Sequence, residues 1–203
     1  MQDNQALIVV DVQKDFLETG ALPVKEGSQV VPVINRIIPK FKNVVFTQDW
    51  HPEGHISFAS SHPGEALYSM IDVSYGKQVL WPEHCVQDTA GAEFAEGLNT
   101  DNGVCFVKKG AHPNIDSYSA FLEADRKTKT DLAVWLKSQG INEVFVCGLA
   151  TDFCVSWAAL DAAAAESTLT AHSKQPGPNG KKEESNELIP LRSIRRKVSL
   201  EAA

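Results

Sequence analysis

The 203-residue chain has 43% hydrophobic residues, a formal net charge of -7 and a sequence pI near 5.3. That length suits one domain with a large core, and the acidic balance lacks the basic footprint of a nucleic-acid binder. No apolar run approaches the roughly 20 residues of a membrane span, no signal-peptide plan opens the chain, and four cysteines without framework spacing fit a reducing, cytoplasmic compartment.

Ala6 to Val10 is an apolar, β-branched run ending in Asp11, which predicts a buried strand with a carboxylate at its carboxyl end. Such a carboxylate requires a cation or hydrogen-bond donor, whereas Asp15 in the following DVQKDF loop reads as solvated surface. Val30 to Phe41 carries helical spacing, with Pro32 tolerated in the first turn. Val44 to Gln48 is the second strand, and it runs into Asp49-Trp50-His51-Pro52-Glu53-Gly54-His55.

Asp49 and His51, two residues apart at a strand end, point the same way if the strand persists, so both can bind one ion. His84, after a long irregular segment rich in Ser, Pro and Gly, would complete a two-histidine, one-carboxylate set that leaves open coordination positions. Histidines of unrelated loops are the alternative reading, and His62, His112 and His172 are taken as surface residues. Val104 to Val107 forms a third strand, ending in Lys108-Lys109-Gly110. Asp131 to Gly140 is amphipathic, with Leu132, Trp135 and Leu136 on one face and Gly140 as its stop.

The fourth strand, Val144 to Cys147, leads through Gly148 to Thr151 and Asp152, two candidate N-caps, and then to Cys154 in the first turn of a helix. There the helix dipole would favour the thiolate, and the carboxyl end of a parallel strand is where open α/β sheets place their ligands. Cys147, inside the apolar run, reads as structural. Seven residues separate the two cysteines, so they do not form a C-x-x-C redox pair. The alternation of strands and helices predicts an α/β fold with a mostly parallel sheet covered on both faces.

Asp11 in DVQKDF, Asp49 and His51 in TQDWHPEGHISF, His84 in LWPEHCV, Lys109 in KKGAHPNIDSYSAF and Cys154 in GLATDFCV together resemble the nicotinamidase/pyrazinamidase group of the isochorismatase-like cysteine hydrolases, over about residues 5–165. The resemblance implies a three-layer α/β/α sandwich and the conversion of nicotinamide to nicotinate and ammonia, with pyrazinamide as a surrogate substrate. It implies a catalytic triad of Asp11, Lys109 and Cys154, and an oxyanion hole from the backbone N–H groups of Ala150 and Cys154 after a cis Leu149-Ala150 peptide. It implies a divalent metal, zinc before manganese or iron, on Asp49, His51 and His84, with His55 at a position that supplies a ligand in some members only. Phe16, Trp81 and Tyr118 match substrate-pocket positions and read equally well as core aromatics. The expected partner is a small molecule, not nucleic acid or membrane, and the resemblance leaves room for a homo-oligomer. Another isochorismatase-like hydrolase, or an inactive metal- or ligand-binding remnant, are the competing functions.

The remnant reading comes from the C-terminal region. Residues 1–165 form the expected hydrolase domain, whereas 166–203 depart from the family pattern. From Lys174 onward the charge is +3 against -10 for the remainder, and Trp157 is the last aromatic. This composition reads as a replaced terminus, poorly packed or disordered, with the final strand, helix and strand of the family missing. An uncovered sheet edge would then favour aggregation.

Overall fold

A computed structural model describes residues 2–164, 170–173 and 189–190. Its strands are β1 (Gln5–Val10), β2 (Asn43–Asp49), β3 (Met70–Val73), β4 (Gly76–Val79), β5 (Gly103–Lys109), β6 (Glu143–Gly148), β7 (Thr170–Ser173) and β8 (Ile189–Pro190). The helices are α1 (Val30–Ile37), α2 (Leu132–Ser138) and α3 (Ser156–Ala164). The main sheet runs β5-β2-β1-β6-β7-β8, parallel throughout except for β8.

Strand periodicity distributes the core between the two faces of this sheet. Ala6, Ile8 and Val10 of β1 pack with Val144 and Val146 of β6 against Leu132 and Leu136 of α2 and Ala158, Ala159 and Ala162 of α3. The intervening Leu7 and Val9 pack on the other face with Phe46 and Phe145 against Val31 and Ile34 of α1. The expected α/β/α sandwich follows from these two clusters. No helix among the described residues is long and apolar enough to cross a membrane.

Three features depart from the sequence reading. The segment expected to be irregular before His84 contains an antiparallel hairpin, β3 with β4, whose turn uses Gly76 at φ +130°. Neither Thr151 nor Asp152 caps the helix after β6. Ala150 occupies the N-cap without a side-chain hydrogen bond, and Thr151–Val155 forms a π-turn before α3, a distortion that accumulates at functional sites. Lastly, strand pairing continues past residue 165. Glu143 to Val146 pair in parallel with Thr170 to Ser173, so the edge of β6 is hydrogen-bonded where the composition predicted it bare; backbone ladders require no particular side chains. The disorder expected for most of 166–203, and the boundary at 165/166 itself, lie outside the described residues.

Gly148 closes β6 beside the end of β1. Its φ is +128°, and a β-carbon there would come within 2.0 Å of the Val10 carbonyl oxygen. Gly148→Ala is therefore expected to cost about 3 kcal/mol or more, read as a lower urea midpoint, because neither the dihedral nor the backbone contact relaxes cheaply.

Candidate active site

The carboxyl ends of β1, β2, β5 and β6 lie side by side in a parallel sheet, so residues far apart in sequence meet above one edge. Asp11 follows β1, Asp49 ends β2, Lys109 ends β5, and Cys154 sits in the π-turn after β6. Asp11 and Lys109 are fully buried, and Cys154 is 6% exposed.

Lys109 is the hub. Its Nζ lies 2.9 Å from Asp11 Oδ2 and 3.5 Å from Cys154 Sγ, donates to Asp49 Oδ1, and donates to the Ser117 carbonyl at 3.0 Å. Burial alone would lower the pKa of this ammonium, but the carboxylates of Asp11 and Asp49 outweigh it and hold the pKa well above the ordinary lysine value. Asp11 accepts from the Thr47 hydroxyl at 2.6 Å through Oδ1, while Oδ2 has the ion pair with Lys109 and no geometrically satisfied hydrogen bond. Donor-type atoms of Asp11, Asp49 and Cys154 all lie within 4.8 Å of one another. Burial raises the Asp11 carboxyl against the pull of Lys109, a direction that suits a group required to accept a proton.

The thiol differs from the sequence reading. Burial raises the pKa of Cys154 well above the ordinary thiol value; Lys109 opposes this, and the charges of Asp11 and Asp49 reinforce it. Desolvation and two carboxylates act on this sulfur against the end of one short turn, and Asp11 is the carboxylate beside it.

Asp49, His51 and His84 converge as expected. Nε2 of His51 and Nε2 of His84 each lie 3.9 Å from Asp49 Oδ2. Nδ1 of His51 meets the Gly110 carbonyl oxygen at 2.9 Å, and Nδ1 of His84 meets the Pro82 carbonyl oxygen at 2.8 Å. A carbonyl can only accept, so both Nδ1 atoms carry the hydrogen and both Nε2 lone pairs face Asp49. Donors 3.9 Å apart can share one ion held at about 2.0–2.2 Å from each, so the three side chains fit a divalent metal. Burial lowers the pKa of His51 to about 3, which keeps its imidazole neutral and able to ligate at neutral pH.

His55 stands outside this set. Its ring packs on His51 at 4.3 Å, but Nδ1 meets the Ser57 hydroxyl at 2.7 Å and Nε2 the Ile115 carbonyl at 3.2 Å. It groups instead with His51 and the buried carboxylate of Asp116. His62 is half-buried, with Nε2 bonded to the Ile56 carbonyl at 2.7 Å; His112 is exposed; the side chain of His172 is outside the described residues.

A cavity of about 260 Å³ reaches Cys154 and the Asp49, His51 and His84 set, and is lined also by Ala150 and by the aromatics Phe16, Trp81 and Tyr118. Phe16 lies 5.5 Å from the His84 ring. The Trp81 indole N–H donates to the Tyr118 hydroxyl at 3.1 Å, which fixes two walls against each other. The Leu149-Ala150 peptide is cis, as the resemblance implied.

Several contributors carried no sequence signal. Phe153 meets Trp81 edge-on at 5.1 Å and lines the cavity. Asp116 also lines the cavity, yet it lies in a polar loop where any carboxylate looks solvated. Gln13 spans to Asp49, donating to its carbonyl and accepting from its N–H, both at 2.8 Å. Asp15 is no solvated surface residue: both carboxylate oxygens accept backbone N–H bonds.

Residues 5–174 match the model of the isochorismatase domain. The chain is 52% identical over 163 residues to a nicotinamidase of Acinetobacter baylyi, covering 80% of this chain and 76% of that one. Among solved structures, a nicotinamidase/pyrazinamidase of Acinetobacter baumannii superposes with a TM-score of 0.86 at 43% identity, covering 98% and 94% of the two chains. A zinc complex of a pyrazinamidase of Pyrococcus horikoshii superposes with a TM-score of 0.67 at 38% identity, covering 84% and 83%.

Proposed function

The chain belongs to the isochorismatase domain family, and on that premise we propose that it hydrolyses nicotinamide to nicotinate and ammonia, with pyrazinamide as a surrogate. The observation that carries this reading is a small aromatic-lined cavity with Cys154 on one wall, backed by the buried Lys109 and Asp11, and a two-histidine, one-carboxylate set on another.

In this reading Asp11 takes the proton of Cys154 as sulfur attacks the carboxamide carbon. Lys109 stabilises the negative charge that develops on sulfur as its proton leaves and stays paired with Asp49, and the N–H groups of Ala150 and Cys154 receive the oxyanion. Asp11 returns the proton to the leaving nitrogen, ammonia departs, and a thioester remains. Water then adds to the thioester carbon as Asp11 accepts its proton. Collapse expels the sulfur, which regains a proton, and nicotinate is released. Phe16, Trp81 and Tyr118 hold the flat ring, their geometry kept by the Trp81–Tyr118 hydrogen bond. Asp49, His51 and His84 would hold a divalent metal, best suited to zinc by its two imidazoles and carboxylate, which as a Lewis acid would bind a ring nitrogen and polarise water.

The deciding experiment supplies nicotinamide to the purified chain and measures ammonia and nicotinate, expected in equal amounts. A folded, zinc-loaded chain that releases neither overturns the reading. His84→Ala is expected to lower bound zinc from one per chain to well below one by elemental analysis, because it removes one of three protein ligands.

A further inference from the structure

We propose that Asp15 is a positioning residue for the metal site, fixing the backbone that carries His84 and, through it, His51. The inference rests on the metal reading above and adds a residue that touches neither metal nor substrate. Asp15 lies in the short turn Lys14–Phe16 after β1. Its Oδ2 accepts the N–H of Cys85, the residue after His84, at 2.7 Å, and its Oδ1 accepts the N–H of Ala21 at 3.2 Å. Its own carbonyl accepts from Leu22 at 2.9 Å, which anchors the carboxylate's side of the contact.

Cys85 is where such an anchor is needed. Its φ is +47°, a conformation that a residue with a β-carbon keeps only when its surroundings impose it. The Asp15 bond holds its N–H, and its carbonyl accepts the N–H of His51 at 3.0 Å. One residue therefore ties the backbones of two metal ligands together, and Asp15 ties that residue to β1. Phe16 extends the same link to the ligand itself by packing on the His84 ring.

Gly91 provides an independent handle. A β-carbon there would lie 2.1 Å from Asp15 Oδ2, so the glycine leaves the space in which the carboxylate reaches Cys85. Outer groups that orient metal ligands typically set affinity by about 10–100-fold.

The test measures zinc affinity of the chelator-stripped chain by competition with a chromogenic chelator, alongside thermal unfolding of the metal-free proteins. Asp15→Ala and Gly91→Ala are expected to weaken zinc about 10–100-fold. Asp15→Asn is expected to fall between them and wild type, because an amide has one acceptor oxygen where the carboxylate uses two. Should Asp15→Ala fail to fold, the other two variants decide. Folded variants that bind zinc as wild type does, even with a lower melting temperature, overturn the proposal and leave Asp15 a loop anchor only. A wild-type chain that takes up no divalent metal overturns the metal reading and this proposal with it.

Discussion

Cys154→Ala is expected to lower nicotinamide hydrolysis by about 10⁴-fold or more while leaving the protein folded, since nucleophile and base act as a unit. The substitution removes a single sulfur from a residue packed against Val155 and the alanines of α3, so its stability cost is expected to stay near about 1 kcal/mol. Burial raises the pKa of the sulfur despite Lys109, and in the proposed mechanism its proton goes to Asp11, whose carboxylate lies within 4.8 Å. Ammonia release and nicotinamide binding by calorimetry separate the two properties: turnover should vanish while binding to the aromatic cavity persists. Residual turnover within tenfold of wild type would show that Cys154 is not the nucleophile.

Lys109→Met should damage stability as well as catalysis. The ammonium sits fully buried between two buried carboxylates, and an apolar side chain of similar length leaves Asp11 and Asp49 facing each other without it. Removing one partner from a buried charge cluster costs about 3–5 kcal/mol, far above the 0–1 kcal/mol of a surface pair. The sign of the pH dependence follows from Asp11. Burial already raises its carboxyl, and loss of the opposing lysine charge raises it further. A carboxyl whose folded pKa lies above its unfolded value destabilises the fold when ionised, so the deficit should be at its full size above that raised pKa and shrink as pH falls from there towards the ordinary carboxyl value. Urea unfolding of variant and wild type across that range checks both size and sign. Lys109→Arg is not expected to rescue, because a planar guanidinium does not fit a fully buried ammonium site.

Arg126 and Asp161 give a smaller effect of the same kind. Arg126 donates to the buried carboxylate of Asp161 on α3 at 2.8 Å and lies over the Trp157 ring, joining the loop before α2 to the helix that follows Cys154. Because the arginine is about half exposed, Arg126→Ala is expected to cost about 1–2 kcal/mol in urea unfolding, less than a fully buried pair.

The residue identities of the site were legible because parallel α/β folds write them at fixed addresses. An apolar run marks each strand, and the polar residue ending it marks the ligand-facing rim, as at Asp11, Asp49 and Lys109, with Cys154 in the turn that follows the fourth strand. What those residues do to one another was decided by tertiary structure. Thirty-six residues separate Asp11 from the Thr47 hydroxyl that orients it, and the short-range pattern holds no trace of that distance. The pKa of Cys154 is raised by desolvation and by two carboxylates remote in sequence, which the turn it occupies does not reveal. Asp15 looked like a solvated loop carboxylate and Asp116 drew no reading at all, since local polarity cannot reveal which backbone N–H or cavity a side chain will meet. Strand β7 likewise had no clear pattern, because the ladder that places it on β6 is made by backbone groups every residue shares. Sequence by itself determined which chemical groups stand at the strand ends; only the packed sheet decided their distances, and electrostatics in a buried site depends on distance and burial before identity.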